Sequence, residues 1–118
     1  MDFMQSPVTV KLRHLARSGA LEARVREMGE RLQRYAGGTA RCRVTVDGGL
    51  EGSEGARYAV SIHLSVPGAQ IHADSIQYDG SGHRDVYLAL RDAYGRARRQ
   101  LQDLKRERQS SLLSGVRG

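Results

Sequence analysis

Residues 84–108 constrain the fold more than any other stretch, because their apolar side chains recur with the period of an α-helix. The predicted apolar stripe consists of Tyr87, Leu90, Tyr94, Ala97, Leu101 and Leu104. A row of cations, spaced seven residues apart, runs along one border of the stripe: Arg84, Arg91, Arg98 and Lys105. The acidic side chains lie on the far side, at Asp92, Asp103 and Glu107. This pattern predicts a helix that covers a core and carries a basic row beside its buried face.

Charged residues also mark the ends of this helix. Asp85 is the predicted N-cap, because a carboxylate suits the unpaired N–H groups and the positive dipole end at a helix start. Arg106 and Arg108 suit the negative end. We expect the helix to end near Arg108 and residues 109–118 to form a flexible tail. The alternative interpretation of the basic row is a solvated surface, on which Arg is simply a good helix former.

The charge balance favours a phosphate-bearing partner. The 118 residues include 19 Lys and Arg, nearly all of them Arg, and the net charge is +6. A small basic domain often binds phosphate, because displaced counterions drive the association and a guanidinium group can donate two hydrogen bonds to one phosphate. The sequence has no apolar run of membrane-spanning length and no signal-peptide pattern. We therefore predict a cytoplasmic protein with no membrane partner.

The beginning of the chain predicts a strand and a helix. Residues 7–12 alternate between apolar and polar side chains, as in a half-buried strand. Ser18 is the predicted N-cap of the helix, and Gly37 with Gly38 ends it. The apolar stripe of this helix consists of Leu21, Val25, Met28, Leu32 and Tyr35. Arg24 and Arg31 lie seven residues apart on one border of the stripe, so the first helix has a weaker basic row of its own.

A second strand and a glycine-rich segment follow. Residues 40–47 alternate, with Arg41 and Arg43 outward and Cys42 inward. Cys42 is therefore predicted to be a buried, inert thiol, and as the sole cysteine it forms no internal disulfide. Residues 48–55 lack the spacing and the following helix of a phosphate-binding loop, and we predict a mobile hairpin loop there.

Residues 58–66 and 69–76 form the clearest pair of strands, joined by a turn at Pro67 and Gly68, and residues 77–83 lead into the last helix. If the turn is tight, the core side pairs Leu64 with Ile71 and Ile62 with Ala73, and the open side pairs His63 with His72 and Ser61 with Asp74. Two histidines beside a carboxylate could bind zinc, but this cluster lacks a reliable fourth ligand. Polar surface is the favoured interpretation.

The predicted element order is β-α-β-β-β-α within a single domain, 1–118, whose ordered core spans about 7–108. The economical α+β arrangement packs two helices on one face of a four-stranded, mostly antiparallel sheet. Whether the two basic rows flank the groove between the helices or lie on its outer edges depends on packing. No catalytic, nucleotide-loop or zinc-pair motif is present, so we predict no enzyme activity and no cofactor.

The segment Asp85-Val-Tyr-Leu-Ala-Leu90, with the basic end that follows, resembles the last helix of the ribosome hibernation promoting factor / RaiA family, also called sigma-54 modulation or ribosomal subunit interface proteins. The family's Asp-x-Tyr-x-Ala-Ile is met at Asp85, Tyr87 and Ala89, with Leu90 in place of Ile. The opening strand and the first helix also fit. The chain departs from the family at Arg91, where an acid is frequent, and in the longer segment 77–83. It resembles the short members of the family, which lack the dimerising C-terminal domain of the long members.

The resemblance implies a protein that binds the small ribosomal subunit and its RNA near the decoding region and silences idle ribosomes, without a small-molecule substrate. RNA contacts implied by the family are Arg31, Arg96, Arg99 and Lys105. The two basic rows and the basic helix end add Arg24, Arg84, Arg91, Arg98 and Arg106. The strands show no outward aromatic row for base stacking, which favours recognition of RNA shape and backbone over base reading. The alternatives are a generic double-stranded RNA or DNA binder and a regulatory protein-interaction module.

Overall fold

The computed structural model describes residues 7–15, 18–52, 55–78 and 83–117. Its elements are β1 (Val8–Arg13), α1 (Gly19–Ala36), β2 (Arg41–Gly52), β3 (Gly55–Val66), β4 (Ala69–Tyr78) and α2 (His83–Arg117). The side chains of a few terminal and loop-flanking residues in these ranges lie outside the description, among them those of residues 49–52, 55–57, 77–78, 83–85 and 112–117. The predicted α+β class and the β-α-β-β-β-α order are confirmed.

The four strands form one sheet in the order β1-β2-β3-β4. The strand-helix-strand connection makes β1 parallel to β2, and the other two pairs are antiparallel. The Pro67-Gly68 turn sets the β3-β4 register as predicted: Leu64 pairs with Ile71, Ile62 with Ala73, His63 with His72 and Ser61 with Asp74. Since side chains alternate along each strand, this register gives the sheet one apolar face and one polar face.

Both helices cover the apolar face of the sheet. α1 lies over β1 and β2, and α2 lies over β3 and β4. The core between the layers includes Cys42, Val44 and Val46 of β2, Val60, Ile62 and Leu64 of β3, and Val25 and Leu32 of α1. The opposite face of the sheet has no helix on it among the described residues, so its polar side chains remain open to solvent.

The sequence signals at both ends of α1 act as predicted. Ser18 Oγ accepts a hydrogen bond from Leu21 N at 3.2 Å, and Gly37 ends the helix with φ of +119°. Buried Gln33 adds a link that the pattern did not indicate, because its Nε2 donates to the carbonyl of Ala40 at 3.1 Å and lies within 3.4 Å of those of Gly37 and Gly38. The end of α1 is thereby fixed to the start of β2.

The buried stripe of α2 differs from the predicted one. Tyr87 is 39% exposed, and Tyr94 and Leu104 are only partly buried. The fully buried positions are Val86, Ala89, Leu90, Ala93, Ala97 and Leu101. The prediction gave weight to large apolar side chains. The buried stripe instead contains three alanines, Ala89, Ala93 and Ala97, and is rotated around the helix axis toward Val86.

Both ends of α2 also lie outside their predicted positions. The helix begins at His83, so Asp85 lies in its first turn and is not the N-cap; the side chain of Asp85 is outside the described residues. The helix continues past Arg108 to Arg117, where the prediction placed a tail. No proline interrupts residues 109–117, which therefore offer no strong signal to stop the helix.

The glycine-rich segment 48–55 is mostly strand, and the predicted hairpin loop there is wrong in extent. β2 runs to Gly52 and β3 starts at Gly55, with a register shift between Asp47 and Leu50. Gly48 lies against Leu15, and a β-carbon at Gly48 would collide with Leu15 Cδ2. Glycine permits this close approach, so the glycine at position 48 has a packing role and is not by itself a sign of mobility. The connection between β4 and α2 is shorter than the predicted loop 77–83, since β4 extends to Tyr78 and α2 begins at His83.

Two helix glycines should respond oppositely to substitution by alanine. A β-carbon at Gly29 of α1 would lie 2.7 Å from Val8 Cγ1, whereas one at Gly95 of α2 would enter open space in the part of the chain that the structure describes. We expect Gly95→Ala to raise the free energy of unfolding by about 0.5–1 kcal/mol through helix propensity. Gly29→Ala should lower it by about 1–3 kcal/mol through overpacking. Urea unfolding measures both, and a stabilised Gly29→Ala variant would contradict the close packing of α1 on β1.

Candidate nucleic-acid interface

The two basic rows meet at Tyr35, near the end of α1. The Arg98 guanidinium carbon lies 5.1 Å from the centroid of the Tyr35 ring, and Lys105 Nζ lies 4.0 Å from it. Lys105 Nζ also donates a hydrogen bond to the Tyr35 carbonyl at 2.6 Å. These cation–π contacts place Arg98 and Lys105 on the side of α2 that faces α1. The basic row of α2 therefore flanks the groove between the helices.

The weaker row of α1 flanks the same groove. At 100° per residue, Arg31 lies about 40° from Tyr35 around the helix axis, and Arg24 lies about 20° from Arg31. Both arginines are thus on the Tyr35 border of the α1 stripe, and their side chains are 45% and 53% exposed. The packing of the two helices therefore places both basic rows beside the groove between them and not on its outer edges. We call Arg24, Arg31, Arg91, Arg98 and Lys105 the groove cations.

Carboxylates contact several groove cations without burying them. Glu27 lies 3.2 Å from Arg24 and 3.6 Å from Arg31, and Asp92 lies 3.8 Å from Arg91. All these side chains are at least a third exposed, and such pairs contribute little because solvent screens them. In the part of the chain that the structure describes, neither Arg98 nor Lys105 has a carboxylate within ion-pair distance. The groove therefore keeps at least two cations, Arg98 and Lys105, that no described carboxylate neutralises.

The remaining predicted RNA contacts lie at other positions around α2. Arg99 is exposed to solvent, whereas exposed Arg106 lines an open pocket together with Tyr35 and Lys105 and is 3.8 Å from Asp103. Arg96 lies about 160° around the axis from Arg98. Its Nη1 donates to the carbonyl of Asp74 on the outer edge of β4 at 2.5 Å, so it is placed away from the groove. The side chain of Arg84 is outside the described residues.

Side chains of α2 also cover the free edge of the sheet. Gln100 Nε2 donates to the His72 carbonyl at 3.0 Å, beside the contact between Arg96 and Asp74, and Arg108 donates to the Pro67 carbonyl. An uncovered edge strand would offer these carbonyls to another chain. Arg96 thus has a structural role that the sequence did not reveal, since nothing in helical spacing shows which border of α2 meets β4.

The histidine cluster has the predicted register but does not form a metal site. The His63 and His72 rings stack with centroids 5.6 Å apart, while His63 Nε2 is hydrogen-bonded to Gln70 and His72 Nε2 lies 3.0 Å from Asp74 Oδ1. Each of the two Nε2 atoms is thus engaged by a neighbouring side chain. Across the residues with described positions, no group of three or more His, Cys, Asp or Glu could hold a metal ion.

Ser61, His72 and Asp74 have the composition of a catalytic triad but not its geometry. Ser61 Oγ and Asp74 Oδ1 lie 3.1 Å and 3.0 Å from the same ring nitrogen, His72 Nε2. A triad needs the carboxylate on Nδ1, so that Nε2 can take the serine proton. Ser61 instead donates directly to Asp74 at 2.8 Å, which directs its hydroxyl proton at the carboxylate and not at the imidazole. The cluster is a hydrogen-bonded patch of the polar sheet face.

Cys42 is buried, as predicted, and burial raises the pKa of its thiol to about 11. A raised pKa keeps the thiol protonated near neutral pH, where only the thiolate is nucleophilic. We expect the native protein at pH 8 to react with a maleimide at least 100-fold more slowly than the same protein in urea. Mass spectrometry over time measures both rates, and fast modification of the native protein would contradict this burial.

Tyr35 is a residue of the candidate interface that the sequence did not indicate. It was assigned to the apolar stripe of α1, and the structure leaves it half-buried, with its ring beneath two cations. Its position four residues after Arg31, at the basic border of the stripe, was the available signal.

None of the described helices is apolar over a length sufficient to cross a membrane.

Comparison with known proteins identifies a family. The pattern of the family described as sigma 54 modulation protein / S30EA ribosomal protein matches residues 8–109. No curated protein sequence matches the chain significantly. Among solved structures, the N-terminal domain of Protein Y from Thermus thermophilus superposes with a TM-score of 0.62 at 22% identity, covering 81% of this chain and 94% of that one. A ribosomal subunit interface protein from Coxiella burnetii gives a TM-score of 0.50 at 17% identity, covering 83% and 96%. At these identities the two structures support the fold alone.

Proposed function

Because the chain belongs to the sigma 54 modulation protein / S30EA ribosomal protein family, we propose that it is a ribosome hibernation factor that binds ribosomal RNA of the small subunit near the decoding region. Bound there, it would occupy the path of messenger and transfer RNA and hold idle ribosomes inactive. The site of action is the cytoplasm, where ribosomes work. The protein acts by binding, without catalysis or a cofactor.

The observation that carries this proposal is the junction of the two basic rows at Tyr35. Arg98 and Lys105 reach over its ring from α2, and helical spacing places Arg24 and Arg31 on the same border of α1 as Tyr35. A groove lined by cations from two rigid helices suits a phosphate backbone of fixed shape, because the cations are held at set positions before binding. Arg99 and Arg106, outward on α2, extend the same basic surface.

The type of RNA follows from what the surface lacks. Among the side chains that the structure describes, two cations already lie over the Tyr35 ring, and Tyr87 is an exposed ring on the same border of α2, compared with five groove cations. Bases splayed from a single strand normally stack on exposed rings. The groove is better suited to the phosphates of folded RNA, and this favours a structured ribosomal site over an unfolded strand.

Sedimentation with purified ribosomal subunits tests the proposal. We expect the protein to pellet with small subunits and with whole ribosomes but not with large subunits alone. Messenger and transfer RNA bound beforehand at the decoding site should reduce pelleting, because they occupy the proposed position. Translation of a reporter in a purified system should fall as the protein is added in stoichiometric amounts.

A generic duplex binder would give a different result. Its binding to small subunits would be competed by equimolar free double-stranded RNA, and messenger and transfer RNA would have no special effect. We expect a large excess of free duplex to be needed. Equal pelleting with both subunits, or easy release by duplex, would overturn the assignment to the decoding region.

The second candidate function is a regulatory module that binds a protein partner. The observation that favours it is the family description, which also names sigma 54 modulation. The groove cations would then be dispensable. A pull-down from a nuclease-treated extract distinguishes the two functions: a hibernation factor loses its partner after RNA digestion, whereas a protein-interaction module retains it.

A further inference from the structure

A second basic site lies on the polar face of the sheet, away from both helices. Arg41 and Arg43 are exposed on this face, because Cys42 and Val44 between and beside them are buried under α1. A helix-covered sheet separates these two arginines from the groove cations. One phosphate could not contact both sets, so the helix groove does not account for this charge.

The strand register brings small polar groups beside the two arginines. Thr9 of β1 pairs with Arg43, and Arg43 pairs with His63 of β3, while Arg41 pairs with Ser65 in the neighbouring row. Together with Pro7 and the Cys42 backbone, these residues line a cavity of about 160 Å³. We call it the sheet-corner cavity. Two guanidinium groups and two hydroxyls can all donate hydrogen bonds to an anion there.

Among the residues that the structure describes, no acid competes for these donors. None of the residues lining the cavity is Asp or Glu. On the same face, Asp74 accepts from Ser61 and contacts His72, and Asp47 contacts His14. In the part of the chain that the structure describes, neither Arg41 nor Arg43 forms an ion pair. Two cations left unpaired around a concave site are arranged to receive an anion.

We propose that the sheet-corner cavity binds a phosphate group of an RNA backbone, as a second contact on the opposite side of the protein from the helix groove. The cavity provides no aromatic side chain apart from His63, whose ring is stacked on His72. It therefore has no platform for a base, and the phosphate is the recognised group. A phosphodiester within a strand and the terminal phosphate of a mononucleotide share this chemistry.

Nuclear magnetic resonance of the full chain tests the site without a ribosome. Inorganic phosphate, a mononucleotide and a ten-nucleotide single-stranded RNA of mixed sequence are each titrated into the labelled protein. We expect all three to shift the amides of Thr9, Cys42 and Ser65, and the RNA to bind more tightly than the mononucleotide. Tighter binding of the mononucleotide would overturn the assignment to an RNA backbone.

The variant Arg41→Gln with Arg43→Gln removes the two cations from exposed positions, and its thermal midpoint should match that of the wild type. We expect its affinity for inorganic phosphate to fall about tenfold, since charge-assisted hydrogen bonds are lost. For the RNA, the salt dependence of binding should flatten by about 1.4, which is two contacts of about 0.7 each on a single strand. Unchanged affinity or unchanged shifts at Thr9 would overturn the proposal.

The matched control is Arg98→Gln with Arg99→Gln, which removes the same charge from the helix side. It should leave the phosphate-induced shifts at the sheet corner unchanged. The experiment also separates this inference from the proposed ribosomal function. If the protein fails to bind ribosomes but keeps the corner shifts, only the groove proposal falls; if it binds ribosomes without any corner shifts, only the second site falls.

Discussion

Replacing Arg98 and Arg99 together by glutamate is expected to weaken binding to small ribosomal subunits by about 100-fold. Arg98 lies over Tyr35 at the junction of the basic rows, and Arg99 points outward beside it. A hydrogen bond to a charged group contributes about 1.5–3 kcal/mol, so losing one contact costs about tenfold in affinity. The reversed charges add repulsion from the phosphates. Equilibrium sedimentation over a range of subunit concentrations measures the dissociation constant.

The salt dependence provides a second, independent readout. The wild-type affinity should fall steeply as salt increases, because binding releases counterions from the RNA. The slope of the double variant should be flatter by about 1.8, which is two contacts of about 0.9 each on duplex-like RNA. A weaker affinity with an unchanged slope would mean that the substitutions disturb the fold and not the phosphate contacts.

The matched control is Arg13→Glu with Arg34→Glu. Both residues are exposed, neither is a groove cation, and the pair changes the net charge by the same amount as Arg98→Glu with Arg99→Glu. We expect this control to lose less than about fivefold in affinity, through long-range repulsion alone. If the two double variants bind equally poorly, the groove has no special role and only the overall charge matters.

Most of the fold could be predicted from the sequence because the alternation of apolar and polar residues in the strands was unambiguous. Alternation in residues 58–66 and 69–76, with a proline-glycine turn between them, fixes both the hairpin and its register, since a slip of one residue would turn Ile62 and Leu64 outward. The caps of α1 were readable for a similar reason: Ser18 and Gly37 each satisfy a local backbone requirement.

The errors arose where tertiary contacts outweigh local pattern. Tyr87 looks apolar but lies at the exposed border of α2, because alanines at 89, 93 and 97 provide a closer fit to the sheet. The glycines of segment 48–55 suggest mobility, yet Gly48 is packed against Leu15. In both cases burial depends on how closely two elements far apart in sequence pack together. The spacing of residues along one element does not predict that distance.

The candidate site was predicted as a list of cations and not as a surface. Seven-residue spacing found Arg98 and Lys105 correctly as neighbours on one border, but it could not show that this border meets α1 at Tyr35. Arg96 came from the family resemblance, and its guanidinium group donates to the carbonyl of Asp74. Helical spacing defines positions around one axis, whereas the groove is defined by how two axes pack.

Leu90→Ala should be the most destabilising of the single substitutions considered. Leu90 is 0% exposed and lies in the row of α2 that packs on the sheet. Removing a fully buried leucine side chain loses its transfer free energy and leaves a cavity, so the free energy of unfolding should fall by about 2–5 kcal/mol. Urea unfolding followed by circular dichroism measures the loss, which should shift the midpoint without changing the slope of the transition.

Leu104→Ala on the same helix is the matched control, because it removes the same atoms from a partly buried position. Its expected cost is about 1 kcal/mol. Equal losses for the two variants would contradict the observed rotation of the buried stripe toward Val86. The pair also separates folding from binding: at a temperature where Leu90→Ala is still mostly folded, it should bind small subunits with wild-type affinity, because Leu90 contacts the core and not the groove. A binding defect in a folded Leu90→Ala protein would instead show that the groove depends on the packing of α2 beneath it.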